Sequence, residues 1–225
     1  MNYLPFSSQS ESTTARLVSQ CGYGVRRKFR LGTITFPAEH PLQHRITGPI
    51  LLGGTARLEQ YAWRFDYGGS MELMHIESGP PLDQVRRLIQ EYAASLNFDL
   101  CFQHLDRDLR DLPGEYALPY GRLVLATEND RPAGCVAIRR LEPRICEMKR
   151  LYVRPEFRRK RLGRILSEHV IAEARIAGYA FMRLDTIAGQ MKEAISLYRS
   201  LGFREIAPYY YNPIPRALYM ELDLR

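Results

Sequence analysis

Downstream of Met71 the apolar positions fall into regular periods, and upstream of it they do not. Met71 to Ile76 suits a strand. Val85, Leu88, Ile89, Tyr92 and Leu96 recur at helical spacing. Leu105, Leu109 and Leu112 predict a second, short helix stopped by Pro113-Gly114. Arg122 to Thr127 and Ala133 to Arg140 predict strands joined by the turn Asn129-Asp130-Arg131-Pro132. Ile145 to Val153 is the next strand. Leu162, Ile165, Leu166, Val170 and Ala174 make one face of a helix ending at Gly178. Phe181 to Asp185 reads as a strand. Met191, Ala194, Ile195, Tyr198 and Leu201 make another helical face, capped by Gly202. Phe203 to Ile206 and Ala217 to Leu224 close the pattern as strands. The order is β-α-α-β-β-β-α-β-α-β-β, a mixed α/β fold layered around one sheet.

Residues 1–70 behave differently. A Ser/Thr/Gln-rich start gives way to stretches broken by Pro37, Pro41, Pro49 and Gly53-Gly54. We read them as a poorly ordered extension with one short strand near Ile50 to Leu52. Residues 71–225 form the folded domain. Met71 is then a candidate native start, with an authentic regulatory arm as the rival reading.

Composition narrows the function classes. At 225 residues and 45% hydrophobic, the chain can bury a core. No run of about 20 apolar residues predicts a membrane span, and the N-terminus lacks the basic-then-apolar order of a signal peptide. Cys21, Cys101, Cys135 and Cys146 form no C-x-x-C pair, so free thiols in a reducing cytoplasm are expected. The net charge of +7 favours polyanionic ligands without choosing between a phosphorylated cofactor and nucleic acid. His40, His44, His75, His104 and His169 show no metal spacing, and no metal is expected.

The most specific segment is Cys146 to Gly163, CEMKRLYVRPEFRRKRLG. It reads as strand, Pro-containing turn, cationic loop and helix start. Helix N-termini present unpaired N–H groups and a positive dipole end, so a cationic loop placed there suits a pyrophosphate. Arg158, Arg159, Lys160, Arg161 and Arg164 supply five cations within seven residues. A solvated basic surface or a nucleic-acid contact is the alternative, but the strand-to-helix junction favours a phosphorylated cofactor. Further on come RLDT, LYRSLGF and YYYNPIP.

With these motifs, residues 71–225 resemble the GNAT superfamily of N-acetyltransferases, in particular bacterial members with similar segments. The resemblance implies the GNAT acyl-CoA N-acyltransferase fold, acetyl-CoA as cosubstrate, and an amine acceptor. The family's phosphate loop, R/Q-x-x-G-x-G/A, falls on Arg158, Arg159, Lys160, Arg161, Leu162 and Gly163, with Arg161 in place of the middle glycine. Leu151, Tyr152 and Val153 are placed along pantetheine, where a backbone N–H near Leu151 could also polarise the thioester carbonyl. Tyr198 matches the family's general acid toward the departing thiolate, the alternative being a core aromatic. Glu147 matches a strand glutamate that serves as general base in some members, the alternative being a carboxylate paired with a neighbouring cation such as Lys149 or Arg150. The family asparagine before the tyrosine is replaced by Met191.

Other assignments rest on position. Tyr209, Tyr210 and Asn212 are placed at the acceptor mouth, against plain packing as the alternative. Arg150 is placed to recognise an acceptor carboxylate. Cys146 raises an acyl-enzyme route, but with no thiolate-stabilising partner a buried core Cys is the better reading. The expected activity is direct acetyl transfer in a ternary complex to a primary amine of a small molecule. Alternatives are a protein Lys or N-terminal acetyltransferase and a non-catalytic acyl-CoA-binding module. Nucleic acid and membrane are not expected partners, and a homodimer is compatible with the family.

Overall fold

The computed structural model describes residues 62–66, 70–96 and 105–225. They form one eight-stranded sheet flanked by helices. In chain order the elements are β1 (Ala62–Asp66), β2 (Ser70–His75), α1 (Pro80–Ala94), α2 (Leu105–Asp111), β3 (Arg122–Glu128), β4 (Arg131–Glu142), β5 (Ile145–Val153), α3 (Leu162–Ile176), β6 (Phe181–Ile187), α4 (Lys192–Ser200), β7 (Arg204–Ile206) and β8 (Ala217–Asp223). The sheet order is β1-β2-β3-β4-β5-β6-β8-β7. Neighbours are antiparallel except β5 and β6, which α3 connects as a parallel pair.

Alternation along the strands divides the interior into two cores. Val124, Ala126, Val136, Ile138 and Met148 pack with Leu162, Ile165, Leu166 and Val170 of α3. Leu123, Leu125, Cys135 and Ala137, one position out of step, pack with Val85, Leu88 and Ile89 of α1. The β3–β4 hairpin turns through Asn129 and Asp130, both at positive φ, which suits a two-residue connection between twisted strands. Gly134 allows β4 to approach β5, since a Cβ there would sit 2.5 Å from the Tyr152 carbonyl oxygen. Gly202, at φ 96°, ends α4 as its position predicts.

The sheet begins earlier than expected. β1 pairs with β2 from Ala62↔Met74 to Asp66↔Ser70. It lies within the stretch read as a poorly ordered extension, so the sheet crosses the boundary drawn at Met71. Trp63 and Phe65 alternate with Arg64 and Asp66, a strand pattern too brief to stand out beside the Gly- and Pro-rich residues before it. A chain beginning at Met71 would lack β1 and leave β2 as the sheet edge. The strand expected near Ile50 to Leu52 lies outside the described residues.

Pairing between β5 and β6 runs only from Ile145↔Phe181 to Glu147↔Arg183. Beyond that point Met148–Val153 and Leu184–Ile187 have no mutual register, and the sheet opens as a wedge. A β-bulge on β5 widens the break from the other side. Cys135 pairs with Tyr152 and Ala137 with Lys149, so Val136 faces both Arg150 and Leu151.

Candidate active site

The cationic loop runs from the end of β5 into α3. Phe157 is buried and anchors it, with Arg131 and Lys160 stacked against its ring at 5.3 and 5.7 Å. Arg154 ties the loop back to α1 through a two-pronged pair with Glu91, at 2.6 and 2.8 Å, and donates to the Pro132 carbonyl. Arg159 and Arg161 both take positive φ, 67° and 61°. Arg161, in place of the middle glycine, takes a left-handed conformation of the kind glycine favours, and it stands as N-cap of α3 with its side chain exposed. Non-glycine residues held there point to a constrained loop. The first turn of α3 leaves its N–H groups without helical partners at the end of this loop.

The cations of the loop are not equivalent. Arg158 donates to the Val153 carbonyl at 3.1 Å and Lys160 pairs with Glu128 at 2.7 Å. Arg164 pairs with Glu168 and reaches the Ser200 hydroxyl. Arg158, Arg159, Lys160 and Arg161 are exposed, whereas Leu162 is buried and Gly163 partly so. Leu151 and Val153 are half-buried against the α3-side core, while Tyr152 is buried on the opposite side, its ring 5.7 Å from that of Tyr92. These residues therefore line both sides of the open edge of β5.

The wedge is filled on its α1/α2 side by charge. Glu147 is wholly buried, and its carboxylate accepts from Arg139 Nε at 2.8 Å and from the Tyr209 hydroxyl at 2.7 Å. Lys149 Nζ lies 3.9 Å from Glu147 and 3.1 Å from Asp185 on β6. Asn212 Nδ2 donates to the other oxygen of Asp185 at 3.2 Å. Arg183 stacks over Tyr209 at 5.3 Å and pairs with Glu221. Tyr209, Tyr210 and Tyr219 contact one another edge-on, and Tyr219 donates to the Tyr210 carbonyl. Burial, together with the carboxylates of Glu147 and Asp185, pushes the phenols of Tyr209 and Tyr210 well above their ordinary value. Both stay protonated, and Tyr209 donates to Glu147.

Tyr198, on α4, belongs to the α3-side core and stacks with Phe203 at 5.8 Å. Burial raises its phenol pKa, and negative charge on Tyr92 or Asp185 would push it further the same way. Tyr198 is thus held as a protonated phenol.

Several expectations meet the structure here. Glu147, Tyr209 and Asn212 converge through Lys149 and Asp185 as one network, with Tyr210 packed against it. Arg150 does not join it. At φ 58° in the bulge, its guanidinium is nearly sealed, 2% exposed, and ion-paired with Asp108 of α2 at 2.7 Å. This corrects its placement at an acceptor carboxylate, because the bulge turns the side chain toward α2. Cys146 is buried with its thiol against the Phe181 carbonyl, and burial pushes its pKa up to about 12, which leaves no thiolate for an acyl-enzyme. Met191 is the N-cap of α4, with its sulfur 3.3 Å from the Thr186 hydroxyl. Arg139, Lys149, Arg183 and Asp185 were not singled out as site residues. The signal for the last three was alternation, since Glu147 and Lys149 on β5, and Arg183 and Asp185 on β6, recur two residues apart and so share one face of each strand.

Similarity to known proteins agrees with this architecture. The model of the acetyltransferase (GNAT) family matches residues 83–203, just over half of the chain. An uncharacterized N-acetyltransferase of Schizosaccharomyces pombe is 41% identical over 145 residues, covering 64% of this chain and 88% of its own. A protein of Azospirillum brasilense named IAA acetyltransferase is 37% identical over 134 residues, covering 54% of this chain and 87% of its own. Relatives thus come from a eukaryote as well as from a bacterium. The crystal structure of an acetyltransferase from Streptococcus agalactiae superposes with a TM-score of 0.58 at 26% identity, covering 68% of this chain and 98% of that one. Wedge, cationic helix start and family match together place the chain in the GNAT family of N-acetyltransferases.

Proposed function

We propose that the chain transfers an acetyl group from acetyl-CoA directly to a primary amine of a small molecule. The observation that carries this reading is the opening of β5 from β6 beyond Glu147↔Arg183, with the start of α3 at one mouth and a buried polar network at the other. Backbone groups along Leu151 to Val153 offer a strand-like edge for pantetheine. The N–H groups of Leu162, Gly163 and Arg164 hold the pyrophosphate, and Arg158, Arg159, Lys160 and Arg161 add Coulomb attraction to it and to the 3′-phosphate.

For transfer, the amine must be neutral when it attacks. Glu147 is the carboxylate that accepts its proton, relayed through the Tyr209 hydroxyl, since the network seals the carboxylate from solvent. The amine then attacks the thioester carbonyl, whose developing oxyanion meets a backbone N–H near Leu151. As the carbon–sulfur bond breaks, Tyr198 donates its proton to the departing thiolate, and the proton shed by the nitrogen as the amide forms returns Tyr198 to its neutral form. Both thiols among the described residues are buried, which favours direct transfer over a covalent acyl-enzyme.

Tyr209, Tyr210 and Asn212 close over the acceptor end of the wedge, which supports a compact acceptor over an extended peptide. The test is a screen of primary amines and of peptides with free Lys or N-terminal amines, reading CoA release and acetylated product by mass spectrometry. Acetylation of one class of small amine supports the proposal, and turnover confined to peptides overturns it.

A further inference from the structure

Away from the wedge, three side chains converge between β2 and the middle of α3. Nε2 of His75 lies 3.1 Å from Nε2 of His169, and 4.0 Å from Oε1 of Glu173. These three ligand atoms all lie within 4.8 Å of one another. His169 and Glu173 are four residues apart on α3, so they share one helix face. His75 closes the cluster from the end of β2.

We propose that His75, His169 and Glu173 bind a divalent transition-metal ion of the zinc type. Two imidazoles and a carboxylate are a donor set that Zn²⁺ accepts, with water in the fourth place. An ion about 2.05 Å from both Nε2 atoms would see them about 100° apart, close to a tetrahedral angle. The carboxylate must close in by about an ångström to complete that geometry. Its second oxygen is already fixed by Arg122 Nε at 2.8 Å, and Arg122 itself is buried and held by the Pro119 and Gly121 carbonyls. That is the outer partner a metal-bound carboxylate requires, and it leaves Oε1 turned to the histidines. Burial keeps both imidazoles in the neutral form a metal needs. Side-chain exposures of 11% for His75 and 13% for Glu173 leave a path of entry.

The ion would clamp β2 to α3. His169 and Glu173 lie two to three turns into the helix, on the order of 10–16 Å along its axis from the phosphate-binding end. Its role is therefore structural. The positive Arg122 nearby makes the site weaker than a closed four-ligand zinc site. The histidines are 94 residues apart in sequence, which is why no metal spacing was visible and no metal was expected.

The test uses the untagged full chain, stripped with chelator, incubated with ZnCl₂ and freed of excess by gel filtration. Metal content is then read by plasma mass spectrometry. His75→Gln and Glu173→Gln are carried in parallel, the second keeping the shape of the carboxylate so that the fold is retained. We expect one zinc per wild-type chain, a higher melting temperature with zinc than without, and loss of both effects in each variant. A wild-type chain that retains no zinc, or a folded variant that still holds one per chain, overturns the proposal.

Discussion

Tyr209 donates a hydrogen bond of 2.7 Å to Glu147, joining the loop before β8 to the last residue of β5 that pairs with β6. The contact fixes the loop over the place where the sheet opens. It also makes Glu147 the meeting point of a phenol, the Arg139 guanidinium and the Lys149 ammonium.

Glu147→Gln separates chemistry from scaffolding. Removing a buried charge leaves Arg139 and Lys149 undercompensated, and we expect a stability loss of about 3 kcal/mol in urea unfolding. If Glu147 also receives the substrate proton, kcat falls by roughly 10²-fold in the variant while acetyl-CoA affinity is unchanged. An unchanged kcat would assign Glu147 to positioning alone.

Tyr198→Phe keeps the ring that packs on Phe203 and removes only the hydroxyl. Turnover should fall by roughly 10²-fold with acetyl-CoA affinity unchanged. Because burial raises the phenol pKa, the protonated acid survives into basic solution, so the wild-type rate should show no loss from phenol ionisation up to about pH 10. Undiminished turnover in the variant would remove Tyr198 from the mechanism.

Arg161 tests how a glycine site tolerates arginine. The left-handed conformation disfavours any residue with a Cβ, and β-branched ones most. Arg161→Val should be less stable than Arg161→Gly by about 1 kcal/mol, read by thermal melting. Arg161→Gly should weaken acetyl-CoA binding only a few-fold, since the backbone at the helix start does most of the holding and one of the loop's cations is lost. Equal stability of the two variants would contradict the strained loop seen here.

The Glu91–Arg154 pair gives the fold a defined acid response. Its hydrogen bonds hold the Glu91 carboxyl below its usual 4.5. The unfolded chain binds that proton more readily, so the pair's contribution is full above about pH 4.5 and fades as pH drops through the folded value. Melting temperature should therefore fall more steeply for wild type than for Glu91→Gln below about pH 4.5. Parallel curves would show that the pair contributes nothing.

Much of this fold was legible in the residue pattern, because each element from Met71 onward has a clear period and a clear stop. β5 was bounded at Ile145 and Val153, as the structure has it. The cationic helix start was legible because charge and dipole there are local properties of the chain. What depends on pairing between distant segments was not. The wedge is a failure of register between β5 and β6, and register leaves no mark on either strand alone. Arg150 was misplaced because a one-residue bulge reverses the face on which a side chain emerges. β1 was missed because five alternating residues weigh little beside the glycines and prolines upstream.

The most direct test of the central claim is a calorimetric titration of acetyl-CoA into the full chain. The account predicts saturable binding at one site per chain, with affinity lost when Arg158 and Arg159 are both replaced by Glu. No heat of binding from a sample whose fold is verified by circular dichroism would contradict it.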